Sequence, residues 1–451
     1  MNIVIAGAGA VGTHLAKLLS KEHLNVVLID SDETKLSKVG TEFDIMTYHS
    51  SPNSIKALKH TNVDKADLFI AVTPFESLNI TCCMLAHQLG AKKTVARIDN
   101  FEYMKTANYG VFVNDTVGIS SLIYPEMLAG KEIADSCQYT WVRQWWEFNN
   151  GELVLLSVKM HREAPIVGKK LKEVAASAGR KFHVVAIKRG SKTISPNGEE
   201  VIKNEDLVFF MVLRNDIEHI KVLTGKDNPT YPDVRDVMII GGSKLAVRAS
   251  WSFPKNVNIK IIEPDEERCQ HISEVVREGT LVMCGDSHDL QLLEDEGLDH
   301  IDALIALTEN DDENILACVS ARRRGIRRTI AQVENMDYLE MAEDLDVGTI
   351  INKKTIAASH IYRMLMKADV NSVKMLNVAE AEVAEFMVKA NSKVTGKPIK
   401  DLSLPKGVNL GGMMRNGQSM LVNGLTQLQE GDRVVAFCVE NTLKKLEKYF
   451  R

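Results

Sequence analysis

Three glycines near the start of the chain restrict its fold more than any other feature. Met1-Asn-Ile-Val-Ile-Ala6 is apolar and strand-like, Gly7, Gly9 and Gly12 follow at G-x-G-x-x-G spacing, and the residues to Leu19 continue as a helix. In a strand–turn–helix unit each glycine has its own physical task. Gly7 permits the tight turn, Gly9 lets the backbone approach a pyrophosphate, and Gly12 lets the helix lie close on the strand. The helix N-terminus then offers free N–H groups and a positive dipole end to phosphates. Asn25-Val-Val-Leu-Ile-Asp30 reads as the next strand, and Asp30 falls 21 residues past Gly9, where a carboxylate would accept hydrogen bonds from a ribose. The spacing alone is a weak signal. A strand before it, a helix after it and an acid closing the next strand make it specific.

The alternation continues. Asp32 to Val39 reads as a helix, Phe43 to His49 as a strand and Pro52 to His60 as a short helix. Ala66 to Thr73 is a near-continuous apolar run, as a parallel strand buried on both faces requires. Leu78 to Leu89 is helical up to Gly90, Lys93 to Asp99 is a strand, Gly110 to Asn114 a sixth, and a helix from Val117 to Leu128 leads away. Six strands with intervening helices specify a doubly wound Rossmann sheet.

This unit occurs twice. Val237-Met-Ile-Ile-Gly-Gly-Ser-Lys-Leu-Ala246 repeats the opening strand and turn, and Ile259 to Glu263 repeats the strand that ends at Asp30. Leu298 to Thr308 repeats Val63 to Thr73, and Thr329 to Asn335 repeats Thr94 to Asn100, both 235 positions on. Each sheet is followed by a smaller module. Gly168–Val174 matches Gly396–Leu402, Ala186–Gly190 matches Met413–Gly417, and Asn204–Phe210 matches Glu430–Ala436. The chain therefore reads as an α/β tandem duplication: a Rossmann doubly wound parallel-sheet domain at 1–132, a small α+β module at 140–225, a second Rossmann domain at 234–366 and a second module at 372–451. Thr224 to Pro232, rich in turn residues, is the expected linker.

Composition excludes several classes. With 451 residues, 45% hydrophobic and 25% charged, the chain is ordinary for a soluble protein, and its net charge of −5 argues against nucleic acid as the main partner. No apolar run reaches the ~18 residues of a membrane span, and no signal peptide is visible. The expected location is therefore the cytoplasm. Seven scattered cysteines without a C-x-x-C pair read as free thiols, and the twelve histidines form no metal-binding spacing, so no metal is expected.

The glycine turn, the Ala-Val-Thr73 and Ala-Leu-Thr308 strand ends and the doubled module resemble the RCK (regulator of conductance of K⁺, or KTN) family. The two-copy form is similar to the peripheral nucleotide-binding subunits of bacterial Trk potassium-uptake systems. The resemblance implies no catalysis. It implies that the Rossmann parts bind NAD(H), with ATP or ADP as alternatives. It further implies a homo-oligomer, a tetramer with eight Rossmann copies in a ring, held on the inner face of the membrane by a Trk-type potassium channel or transporter subunit whose flux it gates. Its site residues, carried over, are Gly7, Ala8, Gly9, Ala10, Val11 and Gly12 in the phosphate turn, Asp30 on the ribose, Thr73 and Pro74 at the fourth strand end, and Arg97 and Ile98 at the fifth. In the second copy they are Gly241, Gly242, Ser243, Lys244 and Leu245, with Glu263, Thr308 and Glu309.

That second copy departs from the pattern. Ser243 replaces the middle glycine, Ala246 the last, and Gln332 stands where Arg97 stands, so the first site is expected to bind a charged dinucleotide more tightly. Three local features have competing readings. Trp141, Trp145, Trp146 and Phe148 could stack on a base, but a hydrophobic seam is favoured. Arg322 to Arg328 could meet an anionic partner, but a solvated helix end is favoured. Glu309 to Glu313 could hold a cation, but acids belong at a helix N-terminus anyway. An NAD-dependent oxidoreductase remains an alternative, as does a stand-alone nucleotide sensor. The former needs a substrate pocket with an acid–base group, and the small modules offer only isolated histidines such as His161 and His183.

Overall fold

The computed structural model describes residues 1–20, 24–105, 110–177, 179, 181–226, 234–287, 289–365, 370–376, 381–439 and 442–450. Of the expected linker, residues 227–232 lie outside these. The described residues form two compact units, residues 1–128 with 353–365, and residues 129–352 with 366–451.

The first unit is built on six parallel strands, β1 (Asn2–Ala6), β2 (Asn25–Asp30), β3 (Met46–His49), β4 (Leu68–Ala71), β5 (Thr94–Arg97) and β6 (Ser121–Ile123), in the order β3-β2-β1-β4-β5-β6. β1 and β4 are central, and Ile3, Ile5, Phe69 and Ile70 are fully buried, as expected of strands covered on both faces. The order reverses between β1 and β4, so the carboxyl ends of these two strands flank the crevice where such sheets bind ligands. The sixth strand is Ser121–Ile123 rather than Gly110–Asn114. Gly110 to Phe112 are helical, and the helix that leads away is Pro125–Cys137. The apolar Gly110-Val-Phe-Val run has no polar alternation and is too short for periodicity to separate strand from helix. The helix Lys353–Leu365, which follows the second sheet in sequence, belongs to this first unit, where it packs beside helix Ala10–Ser20.

The second unit holds the other sheet and both modules. β12 (Asp236–Ile240), β13 (Asn258–Glu263), β14 (Thr280–Cys284), β15 (Ala303–Ala306), β16 (Arg328–Gln332) and β17 (Thr349–Ile351) repeat the first order as β14-β13-β12-β15-β16-β17. The first module is an antiparallel sheet in the order β10-β9-β11-β8-β7, made of β7 (Gln144–Phe148), β8 (Leu153–Lys159), β9 (Phe182–Arg189), β10 (Lys192–Ile194) and β11 (Leu207–Leu213). The second is β18-β19-β22-β20-β21, made of β18 (Val370–Leu376), β19 (Ala381–Met387), β20 (Val408–Arg415), β21 (Gln418–Leu421) and β22 (Arg433–Val439).

The hairpin turns correct the alignment of the modules by one residue. Lys192 pairs with Arg189 across Gly190-Ser191, and Gln418 with Arg415 across Asn416-Gly417, so Arg189 corresponds to Arg415. Both arginines make the same bidentate pair. Arg189 donates to Asp206 through Nε and Nη2, each at 2.8 Å, and Arg415 to Asp432 at 2.8 and 2.7 Å. The modules share one core: Phe209 lies 5.5 Å from Phe437 between ring centroids, with Leu155, Met211, Val383 and Val435 around them. Gly411 and Gly412 permit this approach, since a Cβ on either would lie within 3 Å of Val185 or Leu153. Phe148, with Trp146 packed nearby, lies in this shared core. Trp141 and Trp145 fill the outer core of the first module, so the aromatic cluster is a structural seam.

Candidate functional site

The first glycine turn leaves β1 at Gly7. Its φ is +111°, and a Cβ there would sit 2.9 Å from the backbone N of Thr73, so only glycine fits. Gly12 is equally constrained, because a Cβ there would lie 1.8 Å from the carbonyl oxygen of Gly7. Gly9 is the opposite case. A Cβ there meets nothing within 4 Å, so the protein itself leaves this space open. Helix Ala10–Ser20 starts directly beyond it, and Gly9 has no side chain with which to cap the first N–H groups. Ala8 and Val11 are buried and Ala10 is exposed.

Asp30, half-buried at the end of β2, faces this turn. Its Oδ2 accepts from Ala8 N at 2.5 Å and its Oδ1 from Asp32 N at 2.8 Å. Each carboxylate oxygen has a second lone pair, so both can still accept from a ribose hydroxyl. At the end of β4, Thr73 is locked by Asn79. Thr73 N donates to Asn79 Oδ1 at 2.9 Å and Thr73 Oγ1 to the same atom at 2.7 Å, while Asn79 Nδ2 donates to the carbonyls of Thr73 and Arg97. Pro74 is exposed and Ile98 is fully buried core, so Ile98 contributes backbone alone. Glu76 accepts from the N–H groups of Asp99 and Asn100, both at 2.9 Å, and so ties the β5 end to the helix after β4.

Arg97 carries charge into this end of the sheet. Its Nη2 lies 3.9 Å from Glu126 Oε1, too far for a hydrogen bond, and Lys353 Nζ lies 3.9 Å from the same oxygen. Arg97 Nε and Glu126 Oε2 are buried with no protein hydrogen-bond partner. Buried polar atoms left without hydrogen-bond partners fit a site that a polar ligand completes.

The second copy keeps the scaffold but differs at the turn. Gly241 has φ +93°, with a Cβ position 2.9 Å from Thr308 N, and Gly242 N donates to Glu263 Oε2 at 2.7 Å, as Ala8 does to Asp30. Thr308 and Asn314 reproduce the Thr73–Asn79 lock, and Asn314 also donates to the carbonyl of Gln332. But Glu263 is only 3% exposed, and its Oε2 together with Ile272 Cδ1 crowds the face of Gly242. Ser243 caps its own helix by accepting from Ala246 N at 3.3 Å, which occupies an N–H that Gly9 leaves open. Lys244 is exposed and Leu245 buried; Thr308 is half-buried and Glu309 exposed. In the acidic turn, Asn310 caps helix Asp311–Arg323, and Asp311 accepts from the N–H groups of Glu334 and Asn335, the counterpart of Glu76.

Sequence reading missed Asn79, Glu76, Glu126 and Lys353. Asn79 and Asn314 carry a signal that could have found them: a polar residue recurring 235 positions later inside an apolar helix face. Lys353 carries none, because only the packing of its helix brings it to Glu126.

Two domain families match the chain. The TrkA-N domain matches residues 3–119 and 237–353, and the TrkA-C domain residues 155–225 and 383–451. Among curated proteins, the Trk system potassium uptake protein TrkA of Halomonas elongata is 28% identical over 457 residues, covering 100% of this chain and 99% of its own length. That of Haemophilus influenzae is 28% identical over 462 residues with the same coverage. Among solved structures, the GsuK RCK domain superposes with a TM-score of 0.62 at 15% identity, over 99% of this chain and 94% of that one. The GsuK channel bound to NAD superposes at 0.61 and 16% identity, over 100% of this chain and 78% of that one. At these identities the structural likeness speaks for the fold. Among the described residues no helix is long and apolar enough to cross a membrane.

Proposed function

This chain belongs to the family built from TrkA-N and TrkA-C domains, and from that premise we propose that it is the non-catalytic, nucleotide-binding regulatory subunit of a Trk-type potassium-uptake system. It binds NAD(H), with ATP or ADP as alternatives, at the first glycine turn. It assembles as a homotetramer whose Rossmann domains form a ring on the cytoplasmic face of the membrane transport subunit, and nucleotide binding shifts the conductance of that subunit. The observation that carries the reading is the contrast at the two turns. Gly9 opens onto free space at the start of helix Ala10–Ser20, which it has no side chain to cap, with Asp30 facing it and Arg97 at the end of β5. In the second copy Ser243 stands in the place of Gly9 and caps its own helix, while Glu263 and Ile272 crowd Gly242, which stands in the place of Ala8. The pyrophosphate would sit on the first turn, the ribose hydroxyls on Asp30, and the guanidinium of Arg97 would offset phosphate charge. Ser31 and Asp32 follow Asp30 with no arginine to receive a 2′-phosphate, so NAD is preferred over NADP.

The test is calorimetric titration of the purified protein with NADH, NAD⁺, NADP⁺, ATP and ADP, repeated in the presence of the transport subunit with potassium flux as the readout. Tight binding that disappears in Gly9→Val and persists in Ser243→Val supports the assignment. The reverse pattern, or equal affinity for NAD⁺ and NADP⁺, overturns it.

A further inference from the structure

A cavity of about 270 Å³ opens in the second unit, where the first module meets the turn after helix Asp311–Arg323. Six cationic side chains line it: Arg143 and Lys159 from the module, Lys226 directly after it, and Arg322, Arg327 and Arg328 from the arginine-rich run. Among the described residues no carboxylate lines it. The run is therefore more than a solvated helix end. Arg324 turns away to Glu294 at 2.6 Å, but three of its neighbours face inward.

The wall is held in place from behind. Arg143 and Arg322 both pair with Asp346, the latter at 2.6 Å, and Thr349 Oγ1 donates to the Arg143 carbonyl at 2.6 Å. Arg328, 3% exposed, donates to the Val142 carbonyl, and its Nε is buried without a partner. Lys159 leans on Glu205 at 3.6 Å, and Glu343 acts on Arg143 through space. Six cationic side chains and no carboxylate among the described lining residues leave the concave face positive, and a positive cleft with low-dielectric walls concentrates anions. The crowding registers on the groups themselves. Burial first, and then Arg322, pulls Arg143 down to about 10, and burial first, then Lys226, lowers His161 at the cavity edge. An incoming anion offsets the like-charge part of both shifts.

We propose that this cavity is an anion site separate from both glycine turns, that it takes a phosphoryl group bearing two or more negative charges, and that the bound anion ties the first module to the second sheet. Guanidinium forks from two elements suit the oxygens of a pyrophosphate, which they can grip in pairs. The phosphoryl group could belong to a soluble nucleotide or to a phospholipid headgroup; the chemistry at the wall is the same.

The test is calorimetric titration of the full chain with inorganic pyrophosphate. In a Gly9→Val background, where the glycine turn is blocked, one pyrophosphate is expected to bind. Its affinity should fall on the order of tenfold or more with Lys226→Gln and Arg327→Gln together. It should be retained with Lys226→Arg and Arg327→Lys, which keep the charge and report that the fold is intact. No binding in the Gly9→Val background, or binding indifferent to the glutamine pair, overturns the proposal. Competition then assigns the source. Displacement by ADP and not by phosphatidic acid vesicles, whose terminal phosphate carries the second charge, means a soluble nucleotide; displacement by vesicles and not by ADP means a headgroup; displacement by both means that the site accepts either; and displacement by neither overturns it. Because Gly9→Val isolates the cavity, its failure leaves the nucleotide reading of the first turn standing.

Discussion

At the scale of single residues, the three fingerprint glycines prove to be unlike one another. Gly12 is held by protein geometry, since its missing Cβ would overlap the Gly7 carbonyl at 1.8 Å, whereas Gly9 borders open space. Gly12→Ala should therefore destabilise the first unit by at least the ~1–3 kcal/mol typical of overpacked sites, read as a lowered thermal midpoint. Gly9→Val should leave that midpoint unchanged and abolish NAD(H) binding at the first turn. Equal loss of stability in both variants would show that the space above Gly9 is not a ligand's. Asp30→Ala removes charge-assisted hydrogen bonds worth about 1.5–3 kcal/mol, so nucleotide affinity should fall roughly 10- to 150-fold in calorimetry. The fingerprint itself was legible in the sequence because glycine spacing is local. Which glycine serves the fold and which a ligand was not, because that depends on atoms from Val72 and Thr73, far along the chain.

At the scale of elements, the helix Lys353–Leu365 ties the first unit to chemistry read from the far half of the chain. His360 on this helix is held down to about 4, chiefly by burial and then by Arg363, against about 6.5 in the unfolded chain. A folded value below the unfolded one means that the unfolded chain takes up the proton first. The associated stability is fully present above about 6.5 and drains away as the pH falls toward 4. The thermal midpoint should thus drop between pH 7 and pH 5, and His360→Asn should flatten that drop. Burial lowers His183 in the first module in the same direction, so the variant should remove part of the slope. An unchanged slope in His360→Asn contradicts the burial argument. The shift of β6 to Ser121–Ile123 belongs to this scale too. A three-residue edge strand has too little periodicity to announce itself, and it is defined by pairing with β5.

At the scale of the molecule, the two modules act as one body because their sheets share a core around Phe209 and Phe437. Phe437→Ala should cost about 3–5 kcal/mol and lower the unfolding midpoint of the first module along with that of its own. Hydrogen exchange at β9 and β11 reads this directly: protection lost there means shared cooperativity, and protection kept there means two independent folds. The proposed tetramer predicts a sedimentation mass near four chains, and a monomer at micromolar concentration would remove the ring from the functional reading.

The sequence by itself determined the repeated architecture and the chemical asymmetry between the copies. Strand burial, glycine turns and the acids that close β2 and β13 are written in short-range patterns, and the 235-residue offset makes each half a check on the other. The tertiary structure alone decided that Lys353 reaches Glu126 beside Arg97, that Glu263 crowds Gly242 in the second turn, and that three arginines of a run expected to be solvated join Arg143, Lys159 and Lys226 around one cavity. The physical reason is common to all three. Each juxtaposition is made by residues distant in sequence, and their meeting is set by how buried faces pack, which no local periodicity encodes.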